Sequence, residues 1–274
     1  MDLSQTLQIV SRTDPGIVRA HNEDAVASDA VHGLVVLADG MGGYNAGEVA
    51  SGMATAVITT EMARALESVR PQEFDPQSRG PNAERLIREQ ILKANTSIYQ
   101  AAQSQPQYAG MGTTLVTCLF YDNRISIAHV GDSRLYRFRR GRFEQLTMDH
   151  SLLQELVDRG FYSQEEAARS TNRNYVTRAL GVEPTVQVEV QEAEVQPGDV
   201  YLLCSDGLPD MVEDEDIHLT ISTFNANLQM AGQQLIQLSN DHGGKDNVSV
   251  ILAQVVEPFP ARTGVLQKLR RIFQ

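Results

Sequence analysis

Apolar residues recur along the chain with two periods, and the changes of period divide it into strands and helices. Short apolar runs at Leu7 to Val10, Val26 to Ser28 and Leu34 to Ala38, with turn chemistry at Asp14-Pro15-Gly16, predict strands. Steps of three and four then take over. Val49, Met53, Ala56, Val57, Thr60 and Leu66 predict one long helix, and Leu86, Ile87, Ile91, Ala94 and Ile98 a second. The polar, Pro-rich RPQEFDPQSRGPN between them predicts a surface connection.

A β-rich block comes next as TTLVTCLFY, RISIAHV and SRLYRFRRGRFEQL, parted by turn signals at Asp122-Asn123 and Gly131-Asp132 and expected to be antiparallel neighbours. From Asp149 to Gly181 the pattern is polar and helical, with capping-box spacing at Ser151/Gln154 and Ser163/Glu166, which predicts short helices in an insert. Strands resume at TVQVEV and DVYLLCS, a helix pair runs from about Asp214 to Asn240, and NVSVILAQVV is a final strand. Strand meanders interrupted by helix pairs predict an α+β, four-layer α-β-β-α sandwich over residues 1–257, two central antiparallel sheets flanked by helix pairs. Residues 258–274 read as an amphipathic basic tail. Val265, Leu266, Leu269, Ile272 and Phe273 form its apolar stripe, with Lys268, Arg270 and Arg271 elsewhere, suited to packing on the domain or to weak contact with a membrane surface or partner.

With 274 residues and 42% hydrophobic content the chain can build a sizeable core. Its net charge of −12 argues against nucleic acid as a partner, so any phosphate it handles must meet a local positive spot. Cys118 and Cys204 lie inside apolar runs without Cys-x-x-Cys spacing, which predicts buried reduced thiols and a cytoplasmic setting. The start, MDLSQTLQIV, lacks the basic and long apolar regions of a signal peptide, and no apolar stretch approaches the length of a membrane span.

In VVLADGMGG an apolar run ends on Asp39. A lone Asp-Gly is most simply a turn. Here VYLLCSDG repeats the pattern at Asp206, and Asp246 in GGKDN stands just before the last strand. Three acids at the ends of separate strands suggest an oxygen-only site for a hard cation, magnesium or manganese, without which the carboxylates would repel one another. In DPGIVRAHNED, Arg19 supplies the planar cation that matches two phosphate oxygens.

RAHNED, DGMGG, GMGTT, GDSRLY, TMDHS, SDGL and GGKDN stand in the order and spacing of the metal-dependent protein serine/threonine phosphatases. Over about residues 7 to 256 the chain resembles this PP2C or PPM family in its bacterial single-domain form. The resemblance implies that Asp39 bridges two Mn2+ or Mg2+ ions, with the Gly40 carbonyl on one and Asp206 and Asp246 completing the other. Glu23 and Asp24 match acids that hold metal-bound waters, and Asp132 matches a ligand of a possible third ion. Gly112, Thr113 and Thr114 match a turn beside the catalytic centre, with Gly112 and Thr113 expected to contact substrate together with Arg19. The implied chemistry is attack of a metal-bridging hydroxide on phosphoserine or phosphothreonine, opposing a serine/threonine kinase. A catalytically silent phosphoprotein-binding regulator on the same fold is the alternative. One position departs from the better-known eukaryotic pattern: Met41 stands where a histidine is usual, and a thioether cannot donate a proton. The segment 149–181 corresponds to the family's variable flap.

Overall fold

A computed structural model describes residues 2–43, 46–76, 79–163, 166 and 175–261. The first strands are β1 (Leu7–Asp14), β2 (Asp24–Asp29) and β3 (Leu34–Met41), succeeded by helix α1 (Ala46–Leu66). A small ribbon, β4 (Phe74–Asp75) with β5 (Gly80–Pro81), interrupts the expected surface connection before helix α2 (Asn82–Ser104). The central strands are β6 (Gly112–Thr113), β7 (Leu115–Tyr121), β8 (Arg124–Val130), β9 (Arg134–Arg139) and β10 (Arg142–Gln145). Helix α3 (Leu152–Asp158), β11 (Glu189–Glu194), β12 (Val200–Cys204), α4 (Asp214–Phe224), α5 (Leu228–Asp241) and β13 (Val248–Val255) complete the order.

Two antiparallel sheets result, one ordered β1-β13-β12-β9-β10 and the other β11-β8-β7-β3-β2, with β6 added to the end of β3. Because successive side chains in a strand point to opposite faces, each central strand serves two cores. In β3, Val35 and Leu37 meet Tyr201, Leu203 and Ile251 of the other sheet, while Leu34, Val36 and Ala38 pack under α1 and α2. Likewise Val200, Leu202 and Cys204 of β12 turn to α4 and α5. The layers are helix pair, sheet, sheet, helix pair. Ala46, Ala50 and Ala54, all buried, line the face of α1 that lies on its sheet. Both cysteines are free and buried, Cys118 between the sheets and Cys204 beneath the second helix pair.

The structure departs from the sequence expectations at β11, which is Glu189–Glu194 rather than TVQVEV, and in three further places. RISIAHV and SRLYRF are not neighbours, because residues 131–133 carry the chain from one sheet to the other. Gly131 makes the crossing at φ +105°, pressed so closely on Thr114 that a Cβ would fall 2.6 Å from that side chain. Second, SRLYRFRRGRFEQL is a hairpin, since Arg140 and Gly141 both take positive φ, as a tight two-residue turn requires. Third, the expected tail does not begin at 258: Phe259 is buried in the core between the sheets, and the Phe259 and Ala261 amides donate to Asn123 and Asp122 at 2.6 and 2.7 Å. Residues 262–274, which include the expected apolar stripe, lie outside the described residues, as do 164–165 and 167–174 of the flap segment.

Phe259→Ala should lower the stability by about 3 kcal/mol, the usual loss for a buried phenylalanine. That corresponds to a melting temperature lower by roughly 6–12 °C at this chain length. A chain ending at residue 257 should melt equally low in a circular-dichroism scan. An unchanged melt in both would place the domain boundary before Pro258.

Candidate metal centre and active site

The strand-end acids are brought together at one end of the sandwich, at the seam between the sheets. Asp24 and Asp39 face each other in the β2–β3 register. Asp206 comes just after β12, Asp246 precedes β13, and Asp132 stands in the crossing from β8 to β9. Burial, and then the negative charges of Asp24, Asp206, Asp132 and Asp246, drive the Asp39 carboxyl well above the usual carboxylate range. Asp206 is driven up in the same way by burial and by Asp132, Asp210, Asp246 and Asp24. Burial pushes Asp24 and Asp132 up to about 6, with Asp149 adding to the effect on Asp132. Burial also raises Glu23, against the opposing charge of Arg19.

Close backbone approaches hold these acids in place. Gly40 lies where a Cβ would meet the Gly47 carbonyl at 2.2 Å and the Glu23 carbonyl at 2.5 Å, and its amide donates to Glu23 at 3.1 Å. Gly207 is pressed on the Asn247 carbonyl, 2.0 Å from a would-be Cβ. Asn247 staples the loop of RAHNED: its amide nitrogen donates to the Pro15 and His21 carbonyls at 3.0 and 2.9 Å, and its oxygen accepts from the Glu23 amide at 2.8 Å. Ser205 donates to Asp24 Oδ2 at 2.8 Å.

Gly112 and Thr113, expected to touch substrate, are buried. Thr113 Oγ1 and the Thr114 amide both donate to the Asp39 carbonyl, at 2.8 and 2.9 Å, so this turn fixes the backbone of Asp39 from behind. Arg19, expected on phosphate, is half exposed and pairs with Asp246 at 2.6 Å. Met41 is half-buried in the strand pair with Gly112.

The motif TMDHS, recognisable in sequence but without an evident task there, acquires one in the fold. Thr147 Oγ1 accepts from the Leu135 amide at 3.0 Å, Asp149 takes the Arg134 guanidinium at 2.7 Å, and His150 Nδ1 accepts from the Gly131 amide at 3.1 Å. The motif therefore clamps the crossing that carries Asp132. Asp210, whose charge acts on Asp206 and Asp132, is a site residue that the sequence signals only as a further acid in SDGLPD.

The acidic cluster fits divalent hard cations. Its donors are all oxygen, its carboxylates repel one another, and Asp24 Oδ1 is buried without a hydrogen-bond partner among the described residues. A second group, His129, His150 and Glu189, has ligand atoms within 4.8 Å of one another, but its proton positions oppose metal binding. Because His150 Nδ1 accepts from Gly131, neutral His150 carries its proton on Nε2, aimed at Glu189 Oε1 3.0 Å away. Arg178 also occupies Glu189, at 3.2 Å. A cleft of about 900 Å³ lined by Leu3, His32, Arg70 and Tyr121 lies at the other end of β3 from Asp39 and shares none of these acids.

The raised carboxyls give a signed pH dependence. Asp24 and Asp132 hold protons up to about pH 6 in the fold, against 3.8 for an ordinary aspartate. Their contribution to stability is thus fully present below 3.8 and is lost as pH rises through 6. In chelator the chain should melt lower at pH 7 than at pH 5, and saturating manganese should remove the difference; equal melts in chelator would contradict the assignment. Asp206→Asn should raise the chelated melting temperature at pH 8 by about 2–4 °C for each kcal/mol of repulsion relieved.

The family description Protein phosphatase 2C matches residues 18–241. The serine/threonine protein phosphatase PstP of Mycobacterium tuberculosis is 38% identical over 92% of the chain, which spans 45% of that protein, a little under half of its length. The serine/threonine phosphatase stp of Listeria welshimeri is 36% identical over 89% of the chain and is covered over 94% of its own length. The crystal structure of the mycobacterial PstP superposes with a TM-score of 0.82 at 37% identity, covering 92% of this chain and 99% of that one. The PstP catalytic domain in complex with two manganese ions superposes at 0.78, with 36% identity and the same coverage of both chains. Fold, motif order and extent of match agree, and the chain belongs to the protein phosphatase 2C family.

Proposed function

We infer that the chain is a metal-dependent protein serine/threonine phosphatase, removing phosphate from phosphoserine and phosphothreonine of proteins. The observation that carries this reading is the convergence of Asp39, Asp206, Asp246, Asp132 and Asp24 in one half-buried, all-oxygen cluster beside Arg19. Mn2+ or Mg2+ is the resident cofactor. Asp39, the Gly40 carbonyl, Asp206 and Asp246 are assigned to two core ions and Asp132 to a third, with Glu23 and Asp24 in the surrounding layer. When bound, the cations supply an activated water and neutralise charge on the phosphoryl oxygens.

The protein's own groups do the positioning. The Arg19 guanidinium, half exposed at the rim, offers paired N–H donors to the non-bridging oxygens of an entering phosphate. Met41 supplies no proton to the leaving alkoxide, so that proton comes from another group of the site. Both thiols are buried and their pKa values raised by burial, so neither acts as a nucleophile. The intact acid set with Arg19, and relatives named as phosphatases, support catalysis over a silent phosphoprotein-binding module. Phosphorylated proteins are the substrates, a serine/threonine kinase is the opposing partner, and the cytoplasm is the setting. Among the described residues no helix is long and apolar enough to cross a membrane. The flap segment takes part in choosing substrates.

Hydrolysis of a phosphothreonine peptide with manganese, and its loss on chelation, tests the reading directly; no turnover with either metal would favour the binding module. Asp39→Ala should abolish turnover in a chain that still folds. Arg19→Ala should lower kcat/KM by about 10²-fold, the scale of losing one transition-state donor. Its manganese titration should shift far less, and parallel shifts would make Arg19 a support of Asp246.

A further inference from the structure

Ile17 and Val18 stand immediately before Arg19 and are 67% and 66% exposed. A scattered exposed apolar side chain needs no explanation. This pair is set apart by how its backbone is held. The Ile17 and Val18 amides both donate to the Gly244 carbonyl, at 2.8 and 3.1 Å. Just upstream, Gly16 at φ +76° lies so close to the neighbouring loop that a Cβ would fall 2.2 Å from the Asp246 carbonyl oxygen. Its amide donates to Asp14 Oδ1 at 2.9 Å, and the same oxygen takes the Asn240 side chain at 3.1 Å. Just downstream, Arg19 reaches the Asp246 carboxylate at 2.6 Å. Residues 14–19 are thus fixed to the 244–246 loop at both ends, while the two side chains between are turned to solvent.

Such a ledge is ordered before anything binds, so covering it carries little loss of chain entropy. Its position limits what can cover it. Consecutive Cα atoms are about 3.8 Å apart, and an extended peptide advances about 3.3–3.6 Å per residue. With its phosphate at Arg19, a substrate peptide that runs along residues 18 and 17 brings its next one or two residues over Val18 and Ile17.

Resting on the phosphatase reading above, we propose that Ile17 and Val18 form a subsite for an apolar side chain one or two residues from the phosphorylated serine or threonine. The ledge sets sequence preference among phosphoproteins and takes no part in the chemistry at phosphorus.

The test compares the full chain with its Ile17→Ser/Val18→Ser variant in manganese, on three substrates. These are nitrophenyl phosphate, a phosphothreonine peptide with leucine at the two positions on each side, and the same peptide with glycine there. The wild type should favour the leucine peptide by about tenfold in kcat/KM, the scale of filling one small apolar pocket. The variant should lose that preference through KM and keep its nitrophenyl phosphate turnover within about twofold, as expected when only ground-state binding is removed. Equal losses on all three substrates would make the pair a support of the Asp246 loop and overturn the subsite. So would a leucine preference that survives in the variant. If the double variant melts early, the near-isosteric Val18→Thr gives the same comparison and should lose part of the preference. A wild type that hydrolyses nitrophenyl phosphate but treats the two peptides alike sinks the subsite alone; one that turns over none of the three sinks the phosphatase reading.

Discussion

Repulsion among clustered, half-buried carboxylates is the interaction around which the rest of the molecule is organised. Asp39 and Asp206 each feel several neighbouring acids in surroundings that screen charge poorly, and an isolated loop would relieve this by swinging apart. The sandwich prevents it. Asp39, Asp206 and Asp246 each stand at or beside the end of a strand whose other residues are largely buried, so moving one of these carboxylates means moving a sheet. Gly40 and Gly207 add contacts so close that no side chain fits between the loops. The resulting site is strained while it lacks positive charge and relaxed by acquiring it, which is what a cation-dependent centre requires.

The sheets, the helix pairs and the three principal acids are legible in the sequence because each is written locally. A continuous apolar run that stops on Asp-Gly announces both a strand buried on both faces and the acid at its end, and VVLADG and VYLLCSDG do so twice. The crossing at residues 131–133 is not legible, since Gly-Asp after a strand suits a hairpin as well as a change of sheet. Thr113, Asn247 and His150 are recognisable as motif members, but their work depends on partners far away in sequence: the Asp39 carbonyl, the loop of RAHNED and the Gly131 amide. Long-range hydrogen bonds leave no periodic trace. Phe259 escapes for a related reason, because a single aromatic among prolines gives no pattern, yet it closes the core between the sheets.

The clamp made by TMDHS joins two regions that would otherwise be separate. Asp149 and His150 grip the crossing that bears Asp132, and the next residue, Ser151, caps helix α3 by accepting from the Gln154 amide at 3.2 Å. The beginning of the variable segment is therefore anchored to the metal centre by adjacent residues. Its far end returns to the same place, since the Leu152 amide donates to the Tyr175 carbonyl at 2.9 Å and the Thr177 amide to the His150 carbonyl at 2.8 Å.

Cys204 lies two residues before Asp206, yet it is sealed beneath a helix pair, and burial holds its thiol in the protonated form. Peroxide attacks thiolates, and a buried thiol offers almost none. On the phosphatase reading proposed above, the chemistry is therefore insulated from oxidants that silence hydrolases built on a cysteine nucleophile.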